Sequence, residues 1–167
     1  HFETGLKALN KLTSGKVYVG ISQRQPIDVK NATSVIFDGQ HPAGNVGIQI
    51  NHIAPIDKGD TVWTMSALDV LFIGRLFDKG IADFSRIVAV TGSEIDDPHY
   101  VRTRIGASIA SITQGMVKAV EYEQRYISGN VLTGVKTNAD GYIGATHSQI
   151  TVIPEGNNYD EFLGWAS

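Results

Sequence analysis

The chain of 167 residues has no cysteine, which excludes disulfide bonds, iron–sulfur ligation by cysteine and thiol catalysis, and fits a reducing compartment. Basic residues are not in excess: the formal net charge is −3 and no Lys/Arg cluster occurs, which argues against a nucleic-acid partner. No stretch approaches the ~20 apolar residues of a membrane-spanning helix, and no signal-peptide pattern opens the chain. We therefore expect a globular protein that reaches any membrane through a partner.

The first half of the chain alternates helix-like and strand-like segments. Apolar spacing predicts a helix over 2–12, and short β-branched and aromatic runs predict strands over 16–21, 34–37 and 61–64. The clearest helix follows, with Ser66 as N-cap, Asp69 as its capping-box partner and Gly80 at its end. This order predicts the later part of a parallel, Rossmann-like sheet, which we assign to residues 1–84. The aromatic residues placed in its core are Trp63, Phe72 and Phe77.

The second half has a different pattern. Alternating residues predict strands over 86–92 and 100–105, a helical segment over 109–117 and a returning strand over 125–129. Hairpin, helix and returning strand is the order of a β-grasp, or ubiquitin-like, domain, which we assign to residues 85–135. A last alternating stretch runs from Tyr142 to Ile153. We place it in a strand and tail, 136–167, that lead to the next domain.

Both ends of the sequence suggest a piece of a longer protein. The first helix has no predicted strand before it, although a crossover helix normally follows one. At the other end, Phe162, Leu163 and Trp165 leave large apolar side chains with little sequence to cover them. We therefore expect an internal fragment of a larger chain.

The most informative stretch runs from 37 to 47, where a predicted strand turns on glycine and proline. A strand that feeds a helix through a glycine turn is where α/β folds place ligand sites. Pro42 suits the first position of a helix, so we favour a helix over a strand for 42–53. The glycine spacing matches neither the dinucleotide fingerprint nor a P-loop, so we favour a purely structural turn, with a ligand site as the alternative. The candidate ligand residues are Asp38, Gly39, His41, Gly44 and Gly47.

The histidines near this turn offer limited chemistry. A neutral imidazole at His41 can donate a hydrogen bond to a carbonyl ligand and later supply a proton, but we favour a surface or capping role for this residue. A metal site would need His41 and His52 together with carboxylates such as Asp38 and Asp57. Because their spacing matches no zinc or iron set, we predict no metal site. No serine lies in a nucleophile-elbow pattern, so we assign no catalytic residue.

Arg102 and Arg104 form a second candidate site. Side chains two residues apart on a strand point to the same face, so the two guanidinium groups lie side by side. Such a pair can hold a phosphate or the carboxylates of a partner, and a solvated strand face is the alternative. We favour docking to a partner over ligand binding.

Five spaced stretches resemble the A subunit of the bacterial Na+-translocating NADH:quinone reductase family. They occur in family order over nearly the whole chain and comprise residues 12–19, 37–44, 101–108, 127–134, and 153–156 with 162–165. Three positions depart from the expected pattern. Gln40 stands where we expect proline, and Gln49 and Asn51 stand where we expect histidines. These departures weaken any chemistry that depends on a histidine cluster.

The resemblance implies a cytoplasmic subunit that is peripheral on the bacterial inner membrane and bound to membrane subunits. It further implies a complex that passes electrons from NADH to ubiquinone and exports Na+. This subunit would interact with quinone, while NADH and the flavins would be bound by partner subunits and no cofactor by this piece. The domain order it implies is a partial Rossmann-like domain followed by a β-grasp domain of the soluble-ligand-binding type.

Two functional hypotheses follow. The first is a structural, substrate-proximal piece of the sodium-pumping reductase that has no complete active site of its own. The second is a small-molecule binding module that holds a nucleotide or flavin in the β-grasp half or at the glycine turn. A docking piece leaves apolar patches exposed, whereas a module has a closed pocket with converging polar groups.

Overall fold

The computed structural model describes residues 1–23 and 27–157. The chain divides into two compact units, His1–Asp83 and Phe84–Ser167. The elements of the first unit are α1 (Phe2–Leu12), β1 (Tyr18–Ile21), β2 (Thr33–Ile36), α2 (Val46–Ile53) and α3 (Ala67–Lys79). The elements of the second are β3 (Ser85–Thr91), β4 (His99–Arg104), α4 (Ile109–Thr113), β5 (Gln124–Ser128), β6 (Val135–Thr137) and β7 (Gln149–Pro154).

The first unit contains a parallel pair of strands. β1 and β2 run in register from Tyr18 beside Thr33 to Ile21 beside Ile36. The prediction of a strand over 61–64 is wrong, because this stretch is irregular and makes no β pairing within the described residues. Its β-branched and aromatic residues are typical of a strand, but a strand forms only where a neighbouring strand accepts and donates its backbone hydrogen bonds.

Helices α1 and α3 pack closely in this unit. Leu6 and Val70 are buried in one apolar cluster, and the packing is tight because glycines lie at the crossing. A Cβ on Gly5 would lie only 2.2 Å from the carbonyl oxygen of Val70. The small residues therefore let the two helix backbones approach each other.

The predicted ends of α3 are confirmed. The Ser66 hydroxyl accepts a hydrogen bond from the backbone N–H of Asp69, and the Asp69 carboxylate accepts from the backbone N–H of Ser66 in return. Gly80 ends the helix with a φ of 72°, a left-handed conformation that glycine adopts without strain. The aromatic core assignment is confirmed only for Phe72, which is buried. It is wrong for Trp63 and Phe77, which are 88% and 66% exposed in this chain.

The second unit is built on a five-stranded mixed sheet in the order β4-β3-β7-β5-β6. β3 pairs antiparallel with β4 and parallel with β7, and β5 pairs antiparallel with β7 and β6. Thus the strand at 149–154, which we expected in a tail, lies in the middle of the sheet. The strand expected from Tyr142 begins only at Gln149, because Tyr142 makes no more than an isolated bridge to Ser108.

One face of this sheet and α4 enclose the core of the second unit. Alternation along the strands turns every second residue inward. The buried residues that form the core are Val88, Val90, Ile95, Ile109, Ile112, Ile143, Ile150 and Val152. The helix is shorter than the predicted 109–117, because a turn with Gly115 at a φ of 73° follows Thr113.

Candidate functional site

The glycine turn begins where β2 ends. The backbone N–H of Phe37 donates to the carbonyl of Ile21 and continues the β1–β2 ladder by one step. The next residues leave the sheet: the Asp38 carboxylate accepts a hydrogen bond of 3.0 Å from the N–H of Gly39. Gly39 has a φ of 131°, where a side chain would be strained. The turn thus lies at the carboxyl end of two parallel strands, as the sequence predicted.

The helix after the turn starts later than predicted. Pro42 belongs to the turn and not to the first position of a helix, since the N–H of Asn45 donates to the Pro42 carbonyl. Asn45 is the N-cap of α2, which spans Val46–Ile53. The choice of a helix over a strand is confirmed, and the first-position role of Pro42 is wrong.

The candidate ligand residues form an exposed strip along the turn and the start of α2. Asp38, His41, Gly44 and Gly47 are exposed. A Cβ on Gly44 or Gly47 would meet no atom within 4 Å. The backbone of these two glycines is therefore open to an approaching molecule.

The Gln49 side chain lies between the glycine turn and β1. Its side-chain Nε2 donates to the carbonyl of Ala43 at 3.3 Å. Its Oε1 lies so close to β1 that a Cβ on Gly20 would come within 2.5 Å of it. The amide at this position, where the family resemblance led us to expect a histidine, thus packs against β1 at Gly20.

The histidines of this region lie on the surface. His41 is in the turn and His52 in the last turn of α2, and both are exposed. Within residues 1–23 and 27–157, no group of three or more His, Asp or Glu side chains could hold a metal ion.

Arg102 and Arg104 are exposed on the outer face of β4. Both line an open cavity of about 560 Å³, whose other lining residues are Ser85, Thr103, Gly106, Ala107, Ser108 and Ser111. No carboxylate lines this cavity, and neither guanidinium forms an ion pair within the part of the chain that the structure describes. The cavity therefore presents positive charge and hydroxyl groups.

A serine–histidine pair in the second unit escaped prediction from the sequence. The Ser128 Oγ lies 2.8 Å from Nδ1 of His147 and accepts a hydrogen bond of 2.9 Å from the N–H of Gly144. The imidazole ring of His147 also packs against two glycines. A Cβ would lie 3.3 Å from the ring if it were added to Gly129, and 2.7 Å from the ring if it were added to Gly144. Because Ser128 is buried, the pair ties the end of β5 to the loop before β7 and offers no hydroxyl to a substrate. No motif marks two residues that are 19 positions apart.

A charge cluster joins β5, β6 and the end of β7. The Glu155 carboxylate accepts hydrogen bonds from Nε and Nη2 of Arg125, at 3.1 and 2.8 Å, and from Nζ of Lys136 at 2.6 Å. These bonds lower the pKa of Glu155 to about 2, with the Arg125 bonds as the largest cause and the Lys136 bond next. The cluster keeps the edge of the sheet together.

No helix within the described ranges is both long and apolar enough to cross a membrane. Taken together, these features define a protein of two mixed α/β units whose candidate sites are open surfaces: a glycine-rich turn and an arginine-lined cavity.

Comparison with known proteins gives the particular family. Residues 1–82 match the family model "NqrA second alpha/beta domain", and residues 87–139 match "NQRA C-terminal domain". The chain belongs to the NqrA family, the A subunit of the Na(+)-translocating NADH-quinone reductase.

Curated relatives with this name occur in several bacteria. The chain is 40% identical to the protein of Saccharophagus degradans over 94% of its length, and 39% identical to that of Neisseria meningitidis over 99%. The protein of Yersinia pseudotuberculosis is 40% identical over 98% of the chain. The chain spans 36–37% of the length of these relatives.

Proposed function

We propose that this chain is the part of a reductase subunit that interacts with quinone and docks to other subunits. The complex it serves transfers electrons from NADH to ubiquinone and couples this transfer to Na+ export. The chain supplies no complete active site: NADH and the flavins are bound by partner subunits. It is held on the cytoplasmic side of the inner membrane by those partners. Family membership supports this proposal.

The sequence suggested a partial Rossmann-like domain followed by a β-grasp domain, and each unit has features that support this proposal. We assign the first, with its parallel β1–β2 pair, to the later part of a Rossmann-like domain. We assign the second to a β-grasp domain, because a hairpin and a parallel central strand support that topology. The boundary at 84 stays a prediction, whereas the five-stranded sheet includes β6 and β7 and therefore extends past residue 135.

The observation that carries the quinone proposal is the position of the glycine turn. In open α/β sheets, ligands bind at the carboxyl ends of parallel strands, which is where residues 37–47 lie. Gly44 and Gly47 leave their backbone open to a flat ring. His41 donates a hydrogen bond to a quinone carbonyl, and Asp38 and Gly39 shape the turn that presents it.

The test uses the full-length subunit within its complex. His41→Ala removes the proposed donor and is expected to raise KM for a short-chain ubiquinone roughly tenfold, the effect of one lost hydrogen bond of about 1.4 kcal/mol. His52→Ala is the matched control, since His52 is exposed at the far end of α2. Equal KM values for the two variants would overturn the proposal.

A binding experiment separates the rival hypothesis. Backbone amide shifts are followed for the labelled full-length subunit during titration with ubiquinone, NADH and flavin mononucleotide. Saturable shifts at 39–47 with quinone alone are expected. Shifts with NADH or the flavin instead would favour a small-molecule binding module.

A further inference from the structure

β4 is an edge strand of the five-stranded sheet. It pairs with β3 on one side, and no strand of the described chain pairs with it on the other. We propose that this edge binds an extended, acidic segment of a partner protein, which adds to the sheet as a further strand. The inference rests on the proposed docking function and names the chemistry of its partner.

The backbone hydrogen bonds show which residues of β4 face outward. In an antiparallel pair, the backbone groups of successive residues point alternately toward the partner strand and away from it. The N–H of Ile105 donates to Phe84 at 3.4 Å, whereas the N–H of Ala89 points away from β4 and donates to Ser148 at 3.0 Å. Residues that lie opposite each other in an antiparallel pair either both face each other or both face away. Tyr100 lies opposite Ala89, so its N–H and C=O groups point away from β3 to the open edge, and those of Arg102, two residues further on, do the same. These groups are available to an added strand.

The side chains on this edge select for negative charge. Tyr100, Arg102 and Arg104 are exposed on one face of β4, with successive side chains about 6.8 Å apart along the strand. An added strand repeats its own side chains at the same distance. Glu or Asp at every second position of that strand would therefore meet Arg102 and Arg104, which have no carboxylate partner within the described residues.

The cavity beside Arg104 extends the binding surface. It lies at the carboxyl end of β4, where the N–H of Ala107 donates to the Arg104 carbonyl and the chain turns toward α4. Hydroxyl groups of Ser85, Ser108 and Ser111 line it. An acidic side chain at the end of the added strand fits here, beside the Ser108 hydroxyl and the Arg104 guanidinium.

A competing explanation for Arg102 and Arg104 is that charged residues on an edge strand prevent two copies of the protein from pairing through that edge. Two copies of β4 placed side by side would bring four guanidinium groups together, so a second copy of this chain is a poor occupant. An acidic strand is attracted by the charges that repel another copy. The edge is thus selective and not simply blocked.

The probe is a fluorescent peptide of alternating Glu and Val, and the protein is the full-length subunit. Saturable binding that weakens with salt is expected, and the alternating Lys and Val peptide should not bind. Arg102→Glu with Arg104→Glu should lower the affinity at least tenfold. The matched control, Lys7→Glu with Lys11→Glu, makes the same charge change on exposed positions of α1 and should alter affinity less than twofold.

A second measurement tests the backbone part of the proposal. N-methylation of alternate amides of the peptide removes the donors that strand addition needs, and should abolish binding while leaving its charge unchanged. Unaltered binding of the methylated peptide, equal loss in both charge-reversed variants, or no binding to the wild type would overturn strand addition. Displacement by inorganic pyrophosphate at far lower concentration would also overturn it, because the site would then belong to a phosphate ligand. His41→Ala should leave peptide binding unchanged, so this result is independent of the quinone test.

Discussion

Substituting Gly5 by alanine tests the close approach of α1 and α3. The new Cβ would lie 2.2 Å from the carbonyl oxygen of Val70 and 2.8 Å from its Cγ1. Non-bonded contacts of carbon are normally about 3.5 Å, so the helices must separate by roughly 1 Å. The obstacle is helix backbone, which cannot rotate out of the way as a side chain can.

The magnitude follows from two opposing terms. Forcing extra volume into a packed interior costs about 1–3 kcal/mol, and this contact lies at the severe end. Alanine gains about 1 kcal/mol over glycine inside a helix. We therefore expect Gly5→Ala to lower the free energy of unfolding by about 2 kcal/mol.

The assay is urea unfolding of the full-length subunit, with hydrogen exchange at the amides of α1 and α3 to localise the effect. Gly47→Ala is the control, because it also places alanine in a helix of the same unit but meets no atom within 4 Å. The control should be neutral or stabilising by up to about 1 kcal/mol. A gain in stability for Gly5→Ala similar to that of the control would refute the reasoning.

Two further predictions concern the second unit. The lowered pKa of Glu155, about 2, means that its bonds to Arg125 and Lys136 stabilise the fold above about pH 4.5 and are lost as the pH falls toward 2. The free energy of unfolding, measured at a series of acidic pH values, should show this decline. Glu155→Gln should make the decline smaller. The same decline in the variant as in the wild type would contradict the role assigned to Glu155. Ser128→Ala should cost about 1–3 kcal/mol by removing the buried hydroxyl that His147 and a backbone N–H share, measured by urea unfolding. A cost below about 0.5 kcal/mol would show that the pair is not a structural tie.

Features that depend on neighbours in the sequence were predictable. The capping box of Ser66 and Asp69 and the stop at Gly80 define α3, because each rests on hydrogen bonds within a few residues. The shared face of Arg102 and Arg104 follows from the two-residue period of a strand. The position of the glycine turn after β2 follows likewise from local residue preferences.

Features that depend on distant partners were not predictable. Trp63 lies in an apolar run that matches a strand, but only the fold decides whether a neighbouring strand exists to pair with it. The contact between Ser128 and His147 likewise joins the end of β5 to a loop that no motif relates to it. The side-chain amide of Gln49 reaches β1 only because α2 returns across Gly20.

The sequence by itself determined the family, the order of most helices and strands, and the residues that share a face. Only the tertiary structure decided that β7 enters the sheet between β3 and β5, and that β4 is left at an open edge beside an arginine-lined cavity. The physical reason is that a two-residue period shows which side chains turn inward, while the order of strands is set by backbone hydrogen bonds between segments far apart in the chain.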